Sequence, residues 1–358
     1  MITTLEPGVS VGGRYLIQNY LSEGGMQLVY VARDLLTDRL VALKTPKNSS
    51  ATKRFRRSAI VAAKVNHPNV AKTLDYLKID NQRFLIEELI NGKDLSAALL
   101  SEGTFLDPYL AAKVLHHLSK GVAAAHHAGV VHRDLKPTNI MVVGEYSLLQ
   151  LKVTDFGIAK MAGEEMKEAI EGGEASLTAS KTAVGALPYM APEAIDKPSE
   201  VAPPADIWSI GAMMFHLLCG EYPFGSGLRA VPRIMEAKPP EMPSFITANP
   251  QFAPLANEIF SIALACLKKD QAKRPTADQL VAQCSDLCYH SSHRQRGVVK
   301  RFDYNAFGFI QSDEGDVFYH KDCVYGPLPK IGDKVLFAKY VSGDAPRALP
   351  VLRLTPKA

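Results

Sequence analysis

Two segments of this chain carry residue types suited to handling phosphate, His132-Arg133-Asp134-Leu135-Lys136-Pro137-Thr138-Asn139 and Asp155-Phe156-Gly157, and Ala191-Pro192-Glu193 follows them. Moving a phosphoryl group between oxygens asks for little covalent chemistry and much positioning. Phosphates must be held under a loop, metal ions must bridge them, and a carboxylate must face the attacking hydroxyl. Carboxylates, a primary amide and ammonium groups are the side chains that do this, because hard cations take oxygen ligands and phosphate oxygens take cations.

Positioning such groups requires a framework on either side of them. From Arg14 to Leu43 short β-like runs alternate with turns: Tyr15 to Tyr20, Leu28 to Ala32 and Leu40 to Leu43, an antiparallel meander. The period turns helical between Thr52 and Val65, two further strands are expected near Leu74 to Lys78 and Phe84 to Leu89, and Leu110 to His127 repeats apolar residues at helical spacing. A small β-rich lobe thus precedes a larger α-rich one. The polar stretch Ser285 to Gln295 reads as a linker, and strands return at Gly297 to Phe302, Phe307 to Ile310, Asp316 to Tyr319 and Lys334 to Phe337.

The phosphate-handling motifs, together with Asp206-Ile207-Trp208-Ser209-Ile210-Gly211 and Arg274-Pro275-Thr276, resemble those of the Ser/Thr protein kinase family in its bacterial, eukaryotic-like (Hanks-type) branch. The resemblance covers roughly residues 12–285, with a first lobe to about residue 90 and a second from about 91. It implies an α+β bilobal protein kinase fold and an enzyme that uses ATP with Mg²⁺, or Mn²⁺ in its place. By this resemblance Asp134 accepts the substrate hydroxyl proton, Lys136 neutralises charge on the moving group, and Asn139 and Asp155 hold the metal. Lys44, in Val41-Ala42-Leu43-Lys44, reaches the α- and β-phosphates; Gly24 and Gly25 lie in the phosphate loop; Val29, Ala42, Met141 and the hinge residue Glu88 surround the nucleotide base. Glu193 is expected to pair with Arg274.

Three positions depart from the family pattern. In Leu21-Ser22-Glu23-Gly24-Gly25-Met26-Gln27-Leu28-Val29 only Gly24 keeps its motif glycine, with Ser22 and Gln27 at the other two places. The helix glutamate that normally pairs with the lysine falls at Ser58, and no Asp or Glu occurs from Thr45 to Leu74. Alignment of Phe84 to Leu89 places Glu87 at the back of the nucleotide pocket, where it either pairs with Lys44 in place of the missing residue or turns to solvent. Ala186 replaces a threonine. These changes leave a second reading open, a weakly active or inactive pseudokinase scaffold that binds nucleotide and acts through its C-terminal module.

The segment from Asp155 to Glu193 contains Ser176, Thr178, Ser180 and Thr182, of which Thr178 and Ser180 match the usual autophosphorylation positions of bacterial relatives. A phosphate there is suited to pair with Arg133. The acidic residues between Gly163 and Ser176 either dock on Lys53, Arg54, Arg56 and Arg57 or are simply solvated.

Charge separates the halves: residues 295–358 hold ten Lys and Arg against seven Asp and Glu, most of the formal net charge of +4. The pattern Gly297 to Asp303, Asn305 to Ile310 and Val317 to His320 resembles the cold-shock domain over residues 296–358, and implies a small all-β five-stranded OB-type barrel that binds single-stranded RNA or DNA. The resemblance makes Phe307, Phe309, Phe318 and His320 the stacking platform, with Lys300 near phosphate, and puts Arg301 where the family has a tryptophan. The alternative is that these aromatics pack against the kinase lobes or a protein partner.

The remaining composition is that of an ordinary globular chain, 358 residues with 47% hydrophobic and 22% charged residues. No apolar run is long enough to span a bilayer and no signal-peptide pattern opens the chain, so a cytoplasmic protein without a membrane partner is expected. Five sparse cysteines suit reduced thiols. Cys284, Cys288, His290 and His293 have the ligand types of a zinc site but not finger spacing, and packing is the expectation there.

Overall fold

Short apolar runs, continuous in the central strands, build the first layer of the molecule, of which the computed structural model describes residues 5–23, 27–47, 55, 59–156, 185–343 and 345–355. Strands β1 (Ser10–Val11), β2 (Tyr15–Glu23), β3 (Gln27–Asp34), β4 (Arg39–Pro46), β5 (Thr73–Ile79) and β6 (Gln82–Glu88) form one antiparallel sheet in the order β1-β2-β3-β4-β6-β5. Successive side chains point to opposite faces. One face buries Leu28, Tyr30, Ala32, Val41, Leu43, Phe84 and Ile86 in a common cluster. The other carries Gln27, Val29, Val31, Ala42, Lys44, Leu85 and Glu87, because Val29 lies opposite Lys44, and Lys44 opposite Leu85. The sheet starts before the expected boundary at residue 12, since β1 pairs with β2 and the Leu5 N–H donates to the Tyr30 hydroxyl at 3.2 Å.

The second layer is helical. It contains β7 (Lys93–Asp94), α1 (Leu95–Leu99), α2 (Pro108–His127), β8 (Ile140–Val143), β9 (Gln150–Val153), α3 (Pro192–Asp196), α4 (Pro203–Cys219), α5 (Ala230–Glu236), α6 (Ala253–Cys266) and α7 (Ala277–Asp286). Helix α2 starts where Asp107 accepts from the Tyr109 and Leu110 N–H groups and Pro108 takes the first turn. Its Val114, Leu115, Leu118 and Val122 face the core. Helix α4 is buried almost all round, with Trp208 stacked on Phe224 at 5.3 Å.

The C-terminal module is a closed barrel of β10 (Arg294–Asp303), β11 (Phe307–Ser312), β12 (Gly315–His320), β13 (Val324–Tyr325), β14 (Lys334–Ser342) and β15 (Ala345–Arg353). The order is β12-β11-β10-β14-β15-β13, and the pairing of Phe318 with Arg347 joins β12 to β15. Five long strands are present as expected, and the short β13 is an addition.

The expected linker differs from what is found. Strand β10 begins at Arg294, opposite Ala338, and the barrel is packed onto the helical lobe. Tyr325, Leu336, Leu352 and Leu354 belong to the same buried cluster as helices α2, α4 and α6. Tyr325 meets Phe252 at 5.4 Å and Phe105 at 5.8 Å. Polarity suggested a tether, but the polar groups there are occupied: the Tyr289 hydroxyl lies 2.7 Å from His116 Nδ1, and His293 Nδ1 2.8 Å from Ser147 Oγ.

Candidate active site

The cleft is floored by the second face of the first sheet. Lys44 Nζ donates to Glu87 Oε2 at 2.6 Å and to Asp155 Oδ1 at 2.8 Å, and Gln27 Nε2 donates to the same Asp155 oxygen at 2.8 Å. Glu87 therefore turns inward, not to solvent, and is 4% exposed. Burial pulls the Lys44 ammonium down, yet the charges of Asp155 and Glu87 hold it above the ordinary lysine value. Burial raises the Glu87 carboxyl, against the opposing charge of Lys44. Asp155 resists its own burial and ends below the usual carboxylate range, first because the positive charge of Lys44 lies beside it and then because Lys44 and Gln27 both donate to it. Two acids thus share one ammonium, and one Lys44 hydrogen remains for a further acceptor.

The loop from His132 to Asn139 is held from behind. Buried Asp206 accepts from the His132 N–H and Arg133 N–H, each at 2.8 Å, and lies 2.9 Å from His126 Nε2. That grip keeps Arg133 in left-handed backbone with φ of 71°. His132 Nδ1 accepts from the Asp134 N–H at 3.2 Å, which leaves Nε2 to donate to the Thr154 carbonyl at 2.8 Å. Asp134 Oδ2 accepts from Lys136 Nζ at 2.9 Å and from Asn139 Nδ2 at 3.0 Å. Asn139 Nδ2 also donates to the Asp134 carbonyl at 2.8 Å, so both contacts use the amide nitrogen and neither uses its oxygen. The Thr154 N–H donates to the Asn139 carbonyl at 2.9 Å and ties this loop to Asp155.

The walls are apolar. Val29 and Ala42 lie on the cleft face of the sheet, and Met141 is half-buried on β8, opposite Lys152. The Glu88 N–H donates to the Lys72 carbonyl at 2.9 Å, and its Oε1 accepts from Lys152 Nζ at 2.7 Å. Glu193 and Arg274 form a bidentate pair at 2.5 and 2.9 Å, with the guanidinium 5.0 Å above the Trp208 ring. Gly24, Gly25, Ser58, Lys53, Arg54, Arg56, Arg57, Thr178, Ser180 and the acidic stretch 163–176 lie outside the described residues.

A second surface occurs on the barrel. Phe307 and Phe309 on β11, with Phe318 and His320 on β12, alternate with buried Gly308, Ile310, Val317 and Tyr319, so they share the outer face. Phe318 lies 5.8 Å from Phe307 and 5.7 Å from Phe309. Arg301 stands 4.6 Å over Phe309, and Arg347 stands 5.2 Å over Phe318. Lys300 is exposed and paired with Asp316 at 2.7 Å. Sequence reasoning missed Arg347, which reaches this face only through barrel closure, and Tyr304, 91% exposed beside Phe307. The packing on the helical lobe uses Tyr325, Leu336, Leu352 and Leu354, not these aromatics.

Cys284 is buried, and His290 lies against the Tyr109 ring at 6.2 Å. Among the described residues no group of three or more His, Cys, Asp or Glu is placed to hold an ion, and no helix is long and apolar enough to cross a membrane.

A sheet lobe and a helical lobe that converge lysine, two aspartates and an asparagine on one cleft define the protein kinase class. The protein kinase domain family matches residues 15–284, and the chain belongs to that family. It is 33% identical over 277 residues to the serine/threonine-protein kinase drp72 of Corynebacterium efficiens, covering 74% of this chain and 48% of that protein. It is 32% identical over 292 residues to the serine/threonine-protein kinase PknA of Mycobacterium tuberculosis, 77% of this chain and 62% of that one. With the serine/threonine-protein kinase PrkC of Bacillus subtilis the identity is 30% over 281 residues, 77% of this chain and 40% of the relative. The chain thus spans about half the length of these relatives.

Proposed function

We propose that this chain is an ATP- and divalent-cation-dependent Ser/Thr protein kinase of the bacterial Hanks type. The observation that carries the reading is the pairing of Lys44 with Asp155 and of Asp134 with Lys136 and Asn139, the two groups joined where the Thr154 N–H beside Asp155 donates to the Asn139 carbonyl. Asp134, steadied by Lys136 and Asn139, faces the substrate hydroxyl and takes its proton; Lys136 stays beside the transferring group. The donors left by Asn139 and Asp155 are an amide oxygen and a carboxylate, a set suited to Mg²⁺ or Mn²⁺. When bound, such a cation would neutralise charge on the triphosphate, and the spare hydrogen of Lys44 would donate to a phosphate oxygen. Thr178 and Ser180 are the proposed autophosphorylation sites. Incubation with radiolabelled ATP tests this: label on those residues is expected in the parent and absent from Asp134→Ala. An unlabelled parent defeats catalysis and leaves the scaffold reading.

We further propose that the barrel is a cold-shock-like OB module that binds single-stranded RNA or DNA. The half-exposed aromatics, flanked by Arg301 and Arg347 and uninvolved in packing on the helical lobe, support this. Stacking contributes about 1–3 kcal/mol per base. Fluorescence anisotropy with a short labelled oligonucleotide should report roughly tenfold or greater weakening for Phe318→Ala. Absence of binding by the parent would leave protein docking as the use of this face.

A further inference from the structure

Gln27 stands where the family's phosphate loop has glycine, at the first position of β3 and on the cleft face of the sheet. Its amide nitrogen donates to Asp155 Oδ1 at 2.8 Å. The oxygen of that amide, Oε1, has no hydrogen-bond partner among the described residues, although Gln27 is only 6% exposed. A buried acceptor left without a donor is costly and calls for an explanation.

No described neighbour on this floor donates to this oxygen, and the one spare Lys44 hydrogen is the group that donates to a phosphate oxygen when nucleotide binds. Asp155 and Glu87 are acceptors, and Lys44 donates to both of them. The arriving triphosphate brings more acceptor oxygens near the phosphate-binding floor. What remains to satisfy an amide oxygen beside a metal-binding carboxylate is the cation itself or a water bound to it.

An amide is two-faced. A half-turn about the last side-chain bond exchanges its nitrogen and oxygen, and puts the oxygen near the place the nitrogen now occupies, 2.8 Å from Asp155 Oδ1. Adjacent oxygens around an octahedral Mg²⁺, each about 2.1 Å from the metal, lie about 3 Å apart. The present nitrogen position therefore matches one edge of such a shell.

We propose that Gln27 is a cation-contacting residue: its amide oxygen joins Asp155 at the divalent cation, directly or through a metal-bound water, adding an oxygen donor that the family pattern lacks. Without the cation the same amide donates to Asp155 and keeps that carboxylate in place. The proposal rests on the reading of Asp155 as the cation's carboxylate.

The test is Mn²⁺ binding followed by electron paramagnetic resonance on the full chain with β,γ-methylene ATP. Gln27→Met, equal in length and without the amide, is expected to raise the Mn²⁺ dissociation constant about five- to twentyfold, with nucleotide affinity measured without metal changed less than twofold. An unchanged constant overturns the proposal. So does a lowered one, since the amide would then be a latch that competes with the metal for Asp155. Gln27→Glu, which keeps an oxygen on the same stem, is expected to bind Mn²⁺ at least as tightly as the parent; weaker binding also overturns it. Asp155→Asn separates the two levels: if Mn²⁺ binding survives that change, the reading of Asp155 fails, whereas failure confined to the Gln27 variants leaves it standing.

Discussion

The Lys44 ammonium lies 2.6 Å from the Glu87 carboxylate, and the two side chains hang from adjacent strands of one sheet, with Ala42 opposite Glu87 and Lys44 opposite Leu85. They form a diagonal cross-strand pair. In kinases that hold this lysine from a helix, movement of the helix makes or breaks the pair. Here the anchor belongs to the sheet, so the lysine's place is set when β4 and β6 pair. Glu87→Met removes the anchor and leaves Asp155 as the sole partner of Lys44 among the described residues. A misplaced phosphate contact costs up to about a hundredfold, so kcat/KM for ATP should fall roughly ten- to a hundredfold. Undiminished turnover would show that Glu87 has no positioning role.

The same pair gives activity a pH signature. Burial raises the Glu87 carboxyl, so on acidification it gains its proton before an ordinary carboxylate does, and the attraction to Lys44 weakens. The folded state binds this proton more tightly than the unfolded chain. The group's contribution to folding is therefore fully present below its unfolded value and is lost as pH rises through the raised one, opposite in sign to its contribution to activity. The acid limb of the kcat/KM profile should lie above the ordinary carboxylate range, and Glu87→Gln should remove it. An identical limb in Glu87→Gln would assign it to another group.

Arg294 Nη2 reaches Asp107 Oδ1 at 2.9 Å, with both side chains almost fully buried, and the same carboxylate caps helix α2. One residue thus starts the helix and fastens the barrel. Removing one member of a buried ion pair costs about 3–5 kcal/mol. Arg294→Ala should lower the unfolding midpoint and raise hydrogen exchange across β10 and β14 first. Arg294→Met with Asp107→Asn, which removes both charges and keeps a capping oxygen, should recover part of the loss. Protection of β10 equal to the parent's in Arg294→Ala would refute this fastening role.

Gly326 has φ of 82°, and a Cβ there would stand 2.7 Å from the Phe105 ring. Gly326→Ala therefore combines backbone strain with a collision at the contact between barrel and helical lobe, at roughly 1–3 kcal/mol. Phe105→Leu should relieve part of that cost, and chemical denaturation of the single and double variants measures the coupling. Strictly additive losses would place the strain in the backbone alone.

The order of motifs, the antiparallel first lobe and the alternating aromatics of β11 and β12 were legible along the chain, because each depends on local period or short spacing; Val29, Ala42 and Lys44 were placed by family resemblance, and whether Glu87 turned inward was decided only by the pairing of β4 with β6. The pairing of Glu193 with Arg274 followed from family resemblance. The contacts made by groups far apart in the chain were not legible in this way: Gln27 with Asp155, Asp206 behind His132 and Arg133, Arg347 over Phe318, Arg294 with Asp107. A glutamine at a loop position reads as a missing glycine until packing brings Asp155 beneath it, and a polar stretch reads as a tether until its partners are in place. Residue types and periods determine which faces are apolar and which groups can do chemistry. Which distant group completes each hydrogen bond is decided by burial, which leaves a polar atom no water to turn to and so selects its partner from whatever the fold brings near.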